Sequence, residues 1–472
     1  MIPKRLEFLV APDLPPVQLA EIFKRGGHQL YLVGGSVRDA FLERPVEDFD
    51  FATDARPDRI EELLSTWGDA VYTVGATFGT VAARHGERTV EVTTFRDEVY
   101  RDDSRKPRVT FSDNIETDLS RRDFTVNSIA VSVADMKPVD PYGGLADLAA
   151  GVLRTPLDPE VSFSDDPLRM MRLFRFQATL EFTPDDRTLT AVADMGERLG
   201  IVSAERVRDE LNKLMVAPAP GMALLDMVRL GLVEEFLPEL PSLAMEQDPH
   251  HRHKDVLAHT LAVVDKTSPD LTLRLAALFH DIGKPDTRQF GEGGVSFHHH
   301  EVVGARITRR RMKAMRYPRQ LVDDVSRLVF LHLRPHTLVM GWTDSAVRRY
   351  VRDAGDLLEP LNELVRCDVT TANERRERAI QNRIDQLERR IGVLGQQEEL
   401  ARLRAPVNGN QVMEYLGIRP GPTVGEIMQI LLERRIDEGP YPASEAFAVV
   451  REWAIGKGLP DPGESPPDAE EE

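Results

Sequence analysis

The sequence of 472 residues contains little cysteine and no long apolar run. Its one cysteine, Cys367, excludes an intrachain disulfide and is typical of a reducing compartment. We find no stretch of 18 apolar residues, and no charged start followed by an apolar segment at the N-terminus, so neither membrane insertion nor export is predicted. These absences predict a cytoplasmic protein without a membrane partner.

The chain also lacks an excess of positive charge, since 60 Lys and Arg against 78 Asp and Glu give a formal net charge of −18. Taken alone, this charge argues against a polyanionic partner. Part of it lies in residues 459–472, whose Pro and Glu content predicts a disordered acidic tail. Basic clusters elsewhere, such as the six Lys and Arg residues within 309–319, keep a nucleic-acid partner possible.

Hydrophobic periodicity divides the chain into four regions before the tail and predicts an α+β multidomain protein. Residues 1–155 alternate short β-branched segments with turns and helices, which predicts an α/β head. Residues 156–245 predict a helical neck, residues 246–400 a second helical domain with ten of the twelve histidines, and residues 401–458 a last helical region. The predicted strands are LYLVGG, FDFAT, TVAARHG, RTVEVTTF, SIAVSV and GVLRT.

The segment YLVGGSVRDAFLERPVEDFD, residues 31–50, combines a glycine pair with two nearby aspartates. Gly34 and Gly35 end an apolar strand and, lacking side chains, let backbone N–H groups approach a triphosphate. Asp48 and Asp50 alternate along an extended segment, so they share a face and can share Mg²⁺. Arg38, one helical turn after the glycines, would face the same phosphates. The pattern indicates phosphoryl transfer, whereas either motif alone is more typical of a turn.

The segment DDPLRMMRLFR, residues 165–175, predicts base selection. On a helix Asp166 and Arg169 are three residues apart, so they present an acceptor beside a forked donor. Cytosine and adenine each place an amino donor beside a ring acceptor, whereas guanine and uracil have the opposite polarity. Arg172 and Arg175 continue the same face toward the triphosphate. The alternative interpretation is an ordinary surface ion pair.

Together these motifs resemble the nucleotidyltransferase superfamily of DNA polymerase beta, in the branch of bacterial CCA-adding enzymes and poly(A) polymerases. RRDFTVN, residues 121–127, and DPYGGLADL, residues 140–148, follow in the order of that family. The resemblance implies a polymerase-beta-like head in which Arg122, Asp123 and Asn127 bind the nucleotide, with the first two contacting phosphate and ribose. Asp165 replaces the glutamate that is usual in the family.

The resemblance favours CCA addition, because Phe78-Gly79-Thr80 stands where bacterial poly(A) polymerases have a basic run. It implies transfer of CMP and AMP from CTP and ATP to a tRNA 3′ end, with release of pyrophosphate and two Mg²⁺ ions at Asp48 and Asp50. Poly(A) polymerase and enzymes that add only CC or only A remain alternatives. Glu91 is either a third metal carboxylate or an exposed strand residue.

A second group of residues resembles the HD phosphohydrolase superfamily. His259, the adjacent His280 and Asp281, and Asp368 stand in the superfamily's H…HD…D order, and His300 and His332 lie where some members have ligands for a second metal. Imidazole and carboxylate ligands suit Mn²⁺, Fe, Ni²⁺, Co²⁺ or Mg²⁺. The resemblance implies a phosphatase or 2′,3′-cyclic phosphodiesterase, and one alternative is an HD phosphohydrolase with a nucleotide-sensing head. The remaining histidines of this region are expected to be solvated: His250, His251, His253, His298, His299 and His336.

Overall fold

The computed structural model describes residues 4–46, 48–99, 108–245, 255–291, 294–335, 341–369, 374–398 and 404–463. The chain forms two compact units, one of residues 1–245 with 311–318 and one of residues 246–310 with 319–472. The expectations for His250, His251, His253 and His336, and for residues 464–472 of the tail, lie outside the described residues. None of the described helices combines the length and the apolar character needed to span a bilayer.

The first unit begins with a mixed α/β region and continues into helices. Its strands are β1 (Leu30–Val33), β2 (Phe49–Thr53), β3 (Ala70–Tyr72), β4 (Thr80–His85), β5 (Arg88–Thr94), β6 (Arg96–Val99), β7 (Arg108–Phe111), β8 (Ala130–Ser132), β9 (Pro138–Val139), β10 (Val152–Leu153) and β11 (Thr183–Pro184). Its α-helices are α1 (Pro15–Arg25), α2 (Gly35–Phe41), α3 (Pro57–Leu64), α4 (Ile115–Ser120), α5 (Gly144–Ala150), α6 (Pro159–Asp165), α7 (Leu168–Leu180), α8 (Asp186–Met195), α9 (Ala204–Met215) and α10 (Pro220–Arg229).

Seven strands form one mixed sheet in the order β3-β4-β5-β2-β1-β8-β9. The pair β2–β5 is parallel and places Asp50 opposite Glu91, while β1 lies between β2 and β8 in antiparallel pairs. The α/β prediction for the head is confirmed, and each of the six predicted strand segments contains a strand. The sheet therefore brings β1, which ends just before the glycine pair, beside β2, which begins directly after Asp48 and contains Asp50.

A close backbone contact joins the motif DPYGGLADL, residues 140–148, to the motif RRDFTVN, residues 121–127. Gly144 opens α5, and a Cβ atom there would lie 2.1 Å from the carbonyl oxygen of Thr125, so only glycine fits. The carboxylate of Asp140 accepts the backbone N–H groups of Gly144, at 2.6 Å, and Leu145, at 2.9 Å, and thereby caps the helix. The motif thus holds α5 against the loop that follows α4.

The second unit is mostly helical. Its elements are α11 (Val256–Lys266), α12 (Leu271–Phe279), α13 (Lys284–Thr287), β12 (Arg288–Gly291), β13 (Gly294–Phe297), α14 (His300–Ala314), α15 (Arg319–Leu331), α16 (Asp344–Ala354), α17 (Leu358–Cys367), α18 (Glu374–Glu398), α19 (Gly409–Leu416), α20 (Pro422–Glu438) and α21 (Ala443–Gly456). The periodicity predicted helices alone here, so the β12–β13 hairpin is an addition. The last three helices enclose a small core of their own around Val412, Ile427 and Phe447.

Candidate functional site

A cavity of about 500 Å³ lies in the first unit at the start of α2. Its lining contains eleven of the twelve residues that the sequence predicted for the transferase site: Gly34, Gly35, Arg38, Asp50, Arg122, Asp123, Asn127, Asp166, Arg169, Arg172 and Arg175. Asp48, which lies one residue before β2, is the twelfth and does not line it. Residues from four separate sequence motifs therefore meet in one place.

Gly34 adopts a left-handed backbone conformation, with φ of 71°, at the N-terminus of α2. A Cβ atom on Gly34 would lie 3.0 Å from Nη1 of Arg122, so glycine leaves this arginine its space. On the same helix, Ser36 joins the glycine motif to the segment with the two aspartates. Its hydroxyl donates to the carbonyl oxygen of Asp48 at 3.0 Å and accepts the backbone N–H of Asp50 at 3.2 Å. Ser36 thereby fixes the backbone between the two aspartates.

The carboxylates around the start of β2 and the opposing carboxylate of β5 repel one another. The pKa of Asp50 is raised by partial burial, by Glu91 across the strand pair and by Asp48, while Arg122 opposes the shift. A divalent cation would relieve this repulsion, and carboxylate oxygens are the ligands that Mg²⁺ prefers. The chemistry of the donor set therefore fits the predicted metal.

The two arginines of RRDFTVN are held by Asp118, which the sequence analysis did not single out. Asp118 is fully buried, and its two oxygens accept Nη2 of Arg121 at 2.7 Å and Nη2 of Arg122 at 2.9 Å. Burial raises the pKa of this carboxyl, but the two guanidinium groups outweigh burial and hold it below its usual range. The spacing of an aspartate three and four residues before two arginines was a helical ion-pair signal.

Asp123 organises another wall of the cavity. Its carboxylate accepts Nδ2 of Asn127 at 2.9 Å and two N–H groups of Arg172, one of them Nε at 2.8 Å. Asn127 in turn accepts Nη1 of Arg38 at 2.8 Å, and Arg38 also forms a bidentate pair with Asp39. Despite burial, Arg172 and Asn127 keep the pKa of Asp123 well below its usual range. Each cation of this wall is thus positioned by an acceptor.

Asp166 lies in the turn between α6 and α7, so the expectation that it shares a helical face with Arg169 is wrong. Pro167 separates the two helices, and Asp166 is extended, with φ of −138° and ψ of 100°. Its carboxylate caps α7 by accepting the N–H of Leu168 at 3.1 Å and pairs with Nη2 of Arg206 at 2.9 Å. Asp166 and Arg169 nevertheless line the same cavity.

Arg169 and Arg175 are oriented by neighbouring helices. The guanidinium of Arg169 donates from Nη1 to the hydroxyl of Ser162 at 2.8 Å and from Nη2 to the carbonyl oxygen of Arg121. Arg175 donates from Nε to Glu210, a buried residue of α9, at 2.6 Å. Sequence analysis missed several residues that line the cavity or hold its side chains: Ser36, Arg96, Asp118, Arg121, Phe176, Arg206 and Glu210.

The second unit contains the predicted histidine and aspartate cluster, in two adjoining groups of potential metal ligands. The first consists of His259, His280 and Asp368, and the second of Asp281, His300 and His332; within each group the ligand atoms lie within 4.8 Å of one another. All six side chains predicted from the sequence are therefore brought together. His298 and His299, which the sequence analysis expected to be solvated, are exposed.

Three of these imidazoles have a fixed orientation. The Nδ1 atoms of His280, His300 and His332 lie 2.7, 2.9 and 2.6 Å from backbone carbonyl oxygens three residues earlier. In His300 and His332, donation from Nδ1 leaves Nε2 as the acceptor, which is the arrangement of metal-bound histidines. In the part of the chain that the structure describes, Nε2 of His332 is buried without a hydrogen-bond partner, and Nε2 of His300 is buried with Oδ1 of Asp281, itself an acceptor, at 3.3 Å. Such buried acceptors fit a metal ion.

Electrostatics in this cluster are dominated by its two aspartates. Burial lowers the pKa of His280, but Asp281 and Asp368 outweigh burial and raise it to about 10. Burial and the neighbouring His280 lower the pKa of His332 to about 3, so this imidazole is neutral and able to bind a metal. Lys284 donates to Asp281 at 2.7 Å and balances part of its charge.

Comparison with known proteins finds three family models along the chain. The family model described as the poly A polymerase head domain matches residues 30–154, and that of a probable RNA- and SrmB-binding site of polymerase A matches residues 181–243. The HD domain model matches residues 254–370. The crystal structure of the Bacillus stearothermophilus CCA-adding enzyme in complex with CTP aligns with a TM-score of 0.69 and 26% identity, over 94% of this chain and 99% of that one.

Among curated proteins, the A-adding tRNA nucleotidyltransferase of Deinococcus radiodurans is 34% identical over 94% of this chain and 98% of its own length. The CCA-adding enzyme of Streptococcus gordonii is 40% identical, but the match spans 50% of this chain and 58% of that protein. The resemblance first seen in the motifs thus extends along the whole Deinococcus relative. The chain belongs to the family of tRNA nucleotidyltransferases and bacterial poly(A) polymerases, with a C-terminal HD domain.

Proposed function

We propose that this chain is a cytoplasmic enzyme that adds CMP and AMP, from CTP and ATP, to the 3′ end of tRNA. The observation on which the proposal rests is the single cavity that joins Asp50 with Asp166 and Arg169. The first is a metal-binding carboxylate, and the other two are an acceptor and a donor for a base. A reaction centre beside a base-reading pair is what template-independent addition of C and A requires.

In the proposed reaction the 3′-hydroxyl oxygen of the tRNA attacks the α-phosphorus of the nucleotide. A new P–O bond forms, the bond between the α-phosphorus and its bridging oxygen breaks, pyrophosphate leaves, and the hydroxyl proton passes to solvent. Asp48 and Asp50, with Glu91 opposite Asp50, would hold Mg²⁺, which lowers the hydroxyl pKa and neutralises charge that develops on the phosphates. Arg38 and Arg122 would face the triphosphate.

Base selection would rest on Asp166 and Arg169. Three of the five N–H groups available on a guanidinium are sufficient for the contacts of Arg169 with Ser162 and Arg121, so donors remain for a base acceptor. Each carboxylate oxygen has two lone pairs, so Asp166 can accept a base amino group while it keeps Leu168 and Arg206. Cytosine and adenine satisfy this pair, and guanine and uracil do not.

The test is incubation of the full chain with tRNA that ends at the discriminator base, with CTP, ATP or both, followed by sequencing of the products. Addition of CCA would support the proposal, and long A tails would identify a poly(A) polymerase. Asp48→Asn and Asp50→Asn should abolish addition with circular dichroism unchanged. Extension of tRNA by either variant at the wild-type rate would contradict the metal assignment.

A second candidate is addition of A alone, because the Deinococcus relative, which matches nearly the whole chain, is named an A-adding enzyme. The same assay separates the two candidates if a second substrate, tRNA ending in CC, is included. An A-adding enzyme extends only this second substrate, and only with ATP.

For the HD domain we propose a metal-dependent phosphohydrolase that acts on phosphomonoesters or 2′,3′-cyclic phosphates. The support is the pair of ligand groups with the buried Nε2 atoms of His300 and His332. The ion would be Mn²⁺, Fe, Ni²⁺, Co²⁺ or Mg²⁺. Hydrolysis of a 2′,3′-cyclic nucleotide that requires added metal and is lost in His280→Ala would support the proposal, and no hydrolysis with any of these metals would refute it.

A further inference from the structure

Two exposed aromatic residues, Phe78 and Phe111, each contact or pair with Arg96, which lines the cavity. The Phe78 side chain is 52% exposed and the Phe111 side chain is 37% exposed, so both rings are accessible to a partner. We call these two residues the aromatic platform. Nothing in the reaction proposed above uses them.

Arg96 connects the platform to the cavity. Its side chain lines the cavity and donates from Nη1 to the carbonyl oxygen of Phe78. Arg96 is also the register partner of Phe111 in the antiparallel pair β6–β7. Directly opposed residues of such a pair have Cβ atoms about 5 Å apart on the same face. Arg96 therefore links the backbone of Phe78 and the strand of Phe111 to the cavity.

The platform is held in place by Gly79. A Cβ atom on this residue would lie 2.9 Å from the ring of Phe111, so the ring packs directly on glycine backbone. Gly79 has φ of 89°, a conformation that other residues rarely adopt. The ring of Phe111 thus rests on the backbone next to Phe78, and substitution of Gly79 would displace it.

Two arginines, Arg56 and Arg96, flank the platform. The guanidinium of Arg56 lies 5.4 Å from the centre of the Phe111 ring and pairs with Asp113 at 2.7 Å, while Arg96 stands on the cavity side. Beyond Arg96 the cavity is lined with further arginines. Aromatic faces with flanking arginines are the arrangement by which proteins bind single-stranded nucleic acid, since rings stack on bases and cations bind phosphates.

We propose that the aromatic platform stacks on the unpaired bases at the 3′ end of the tRNA and directs the terminal hydroxyl into the cavity. The inference deepens the proposed transferase function and rests on it for the identity of the RNA. An RNA end suits the site better than an apolar protein segment, because the platform is continuous with an arginine-lined cavity.

The test compares variants of Phe78, the more exposed ring. Binding of fluorescein-labelled tRNA that ends at the discriminator base is measured by anisotropy, and KM for ATP is measured separately. Phe78→Ala should weaken tRNA binding about tenfold, which corresponds to one stacked base. Phe78→Leu should weaken tRNA binding similarly, because leucine keeps the apolar area but has no ring on which a base can stack. Phe78→Tyr, which keeps a ring, should bind tRNA within about twofold of wild type. The KM for ATP should not change.

Two controls make the result decisive. Ile455→Ala removes a side chain of matched exposure, 51%, from the last helix and should leave tRNA binding unchanged. A tRNA with an abasic discriminator position should bind wild type about tenfold more weakly, and Phe78→Ala should add no further loss. Wild-type binding by Phe78→Leu, or losses that multiply for the variant and the abasic tRNA, would overturn the stacking proposal. Failure of the wild type to extend tRNA, with this binding pattern intact, would overturn only the transferase proposal.

Discussion

Asp118→Asn is the substitution for which the structure gives the sharpest expectation. The carboxylate is fully buried at the end of α4, and each of its oxygens accepts two N–H groups from one arginine. Nε of Arg121 lies at 3.2 Å from Oδ1 and Nε of Arg122 at 3.3 Å from Oδ2, in addition to the shorter Nη2 contacts. Asparagine keeps the shape, but it replaces one oxygen with an amino group that faces two donors.

The expected loss is large because the two guanidinium groups stay where they are. Their side chains are only 14% and 19% exposed, so removal of the shared carboxylate leaves two poorly solvated charges. Breaking a buried ion pair costs about 3–5 kcal/mol of unfolding free energy. The matched control is Glu116→Gln on the same helix, which is exposed and should cost less than about 1 kcal/mol. Arg122 lines the cavity, so KM for ATP should also rise in Asp118→Asn alone.

Urea unfolding followed by tryptophan fluorescence measures this loss in the first unit. Trp67 reports on that unit once Trp342 and Trp453 are replaced with phenylalanine in every variant, including the reference. If Asp118→Asn loses no more unfolding free energy than Glu116→Gln, the argument from the buried carboxylate is wrong. The folded pKa of Asp118 is depressed, so its contribution is present above the ordinary carboxyl range and is lost as the pH falls through the folded pKa. The difference between the variant and the reference should therefore shrink below about pH 4.

Three further predictions concern positioning residues and the metal centre. Ser36→Ala should lower the rate of a single transfer about tenfold with KM for ATP unchanged, because the hydroxyl fixes the backbone of Asp48 and Asp50. An unchanged rate in rapid-quench experiments would contradict this role. Arg206→Ala should reduce the preference for ATP over GTP about tenfold, because the ion pair with Arg206 orients the Asp166 carboxylate. Arg206→Lys should recover part of this preference. Equal preference ratios in the wild type and both variants would argue against this role of Arg206. His280→Ala should reduce the bound transition metal, measured by elemental mass spectrometry, whereas Asp48→Asn should not; wild-type metal content in His280→Ala would exclude the assigned cluster.

The candidate residues that the structure brings together as expected are those whose placement depends on local geometry, and their roles stay predictions. The glycine pair at the end of β1 depends on the absence of side chains, and the aspartates around the start of β2 depend on the alternation of an extended chain. Each feature can be recognised from adjacent residues of the sequence. The HD cluster followed from the order of four side chains, and the structure brings all six predicted ligands together.

The parts that were missed depend on contacts between distant segments or on a single break in a helix. Arg206 lies 40 residues from Asp166, and no spacing pattern predicts that pair. Proline is well tolerated at the start of a helix, so Pro167 was compatible either with one helix or with the observed boundary between α6 and α7. The β12–β13 hairpin falls between helical segments and is too short for periodicity to reveal.

The anions around the cavity explain how a chain with net charge −18 can have a cavity lined with arginines, as the proposed binding of a triphosphate requires. Asp118, Asp123 and Glu210 are buried, and each binds one or two arginines that line the cavity. Their charge is therefore used to hold cations in place and is not presented to solvent. Net charge sums these buried anions with exposed ones, so it does not report the potential in the cavity. A carboxylate that fixes a guanidinium also lowers the entropy that this arginine loses on binding phosphate. The acidic residues of the head thus favour binding of an anion, because they are bound to the residues that would contact it.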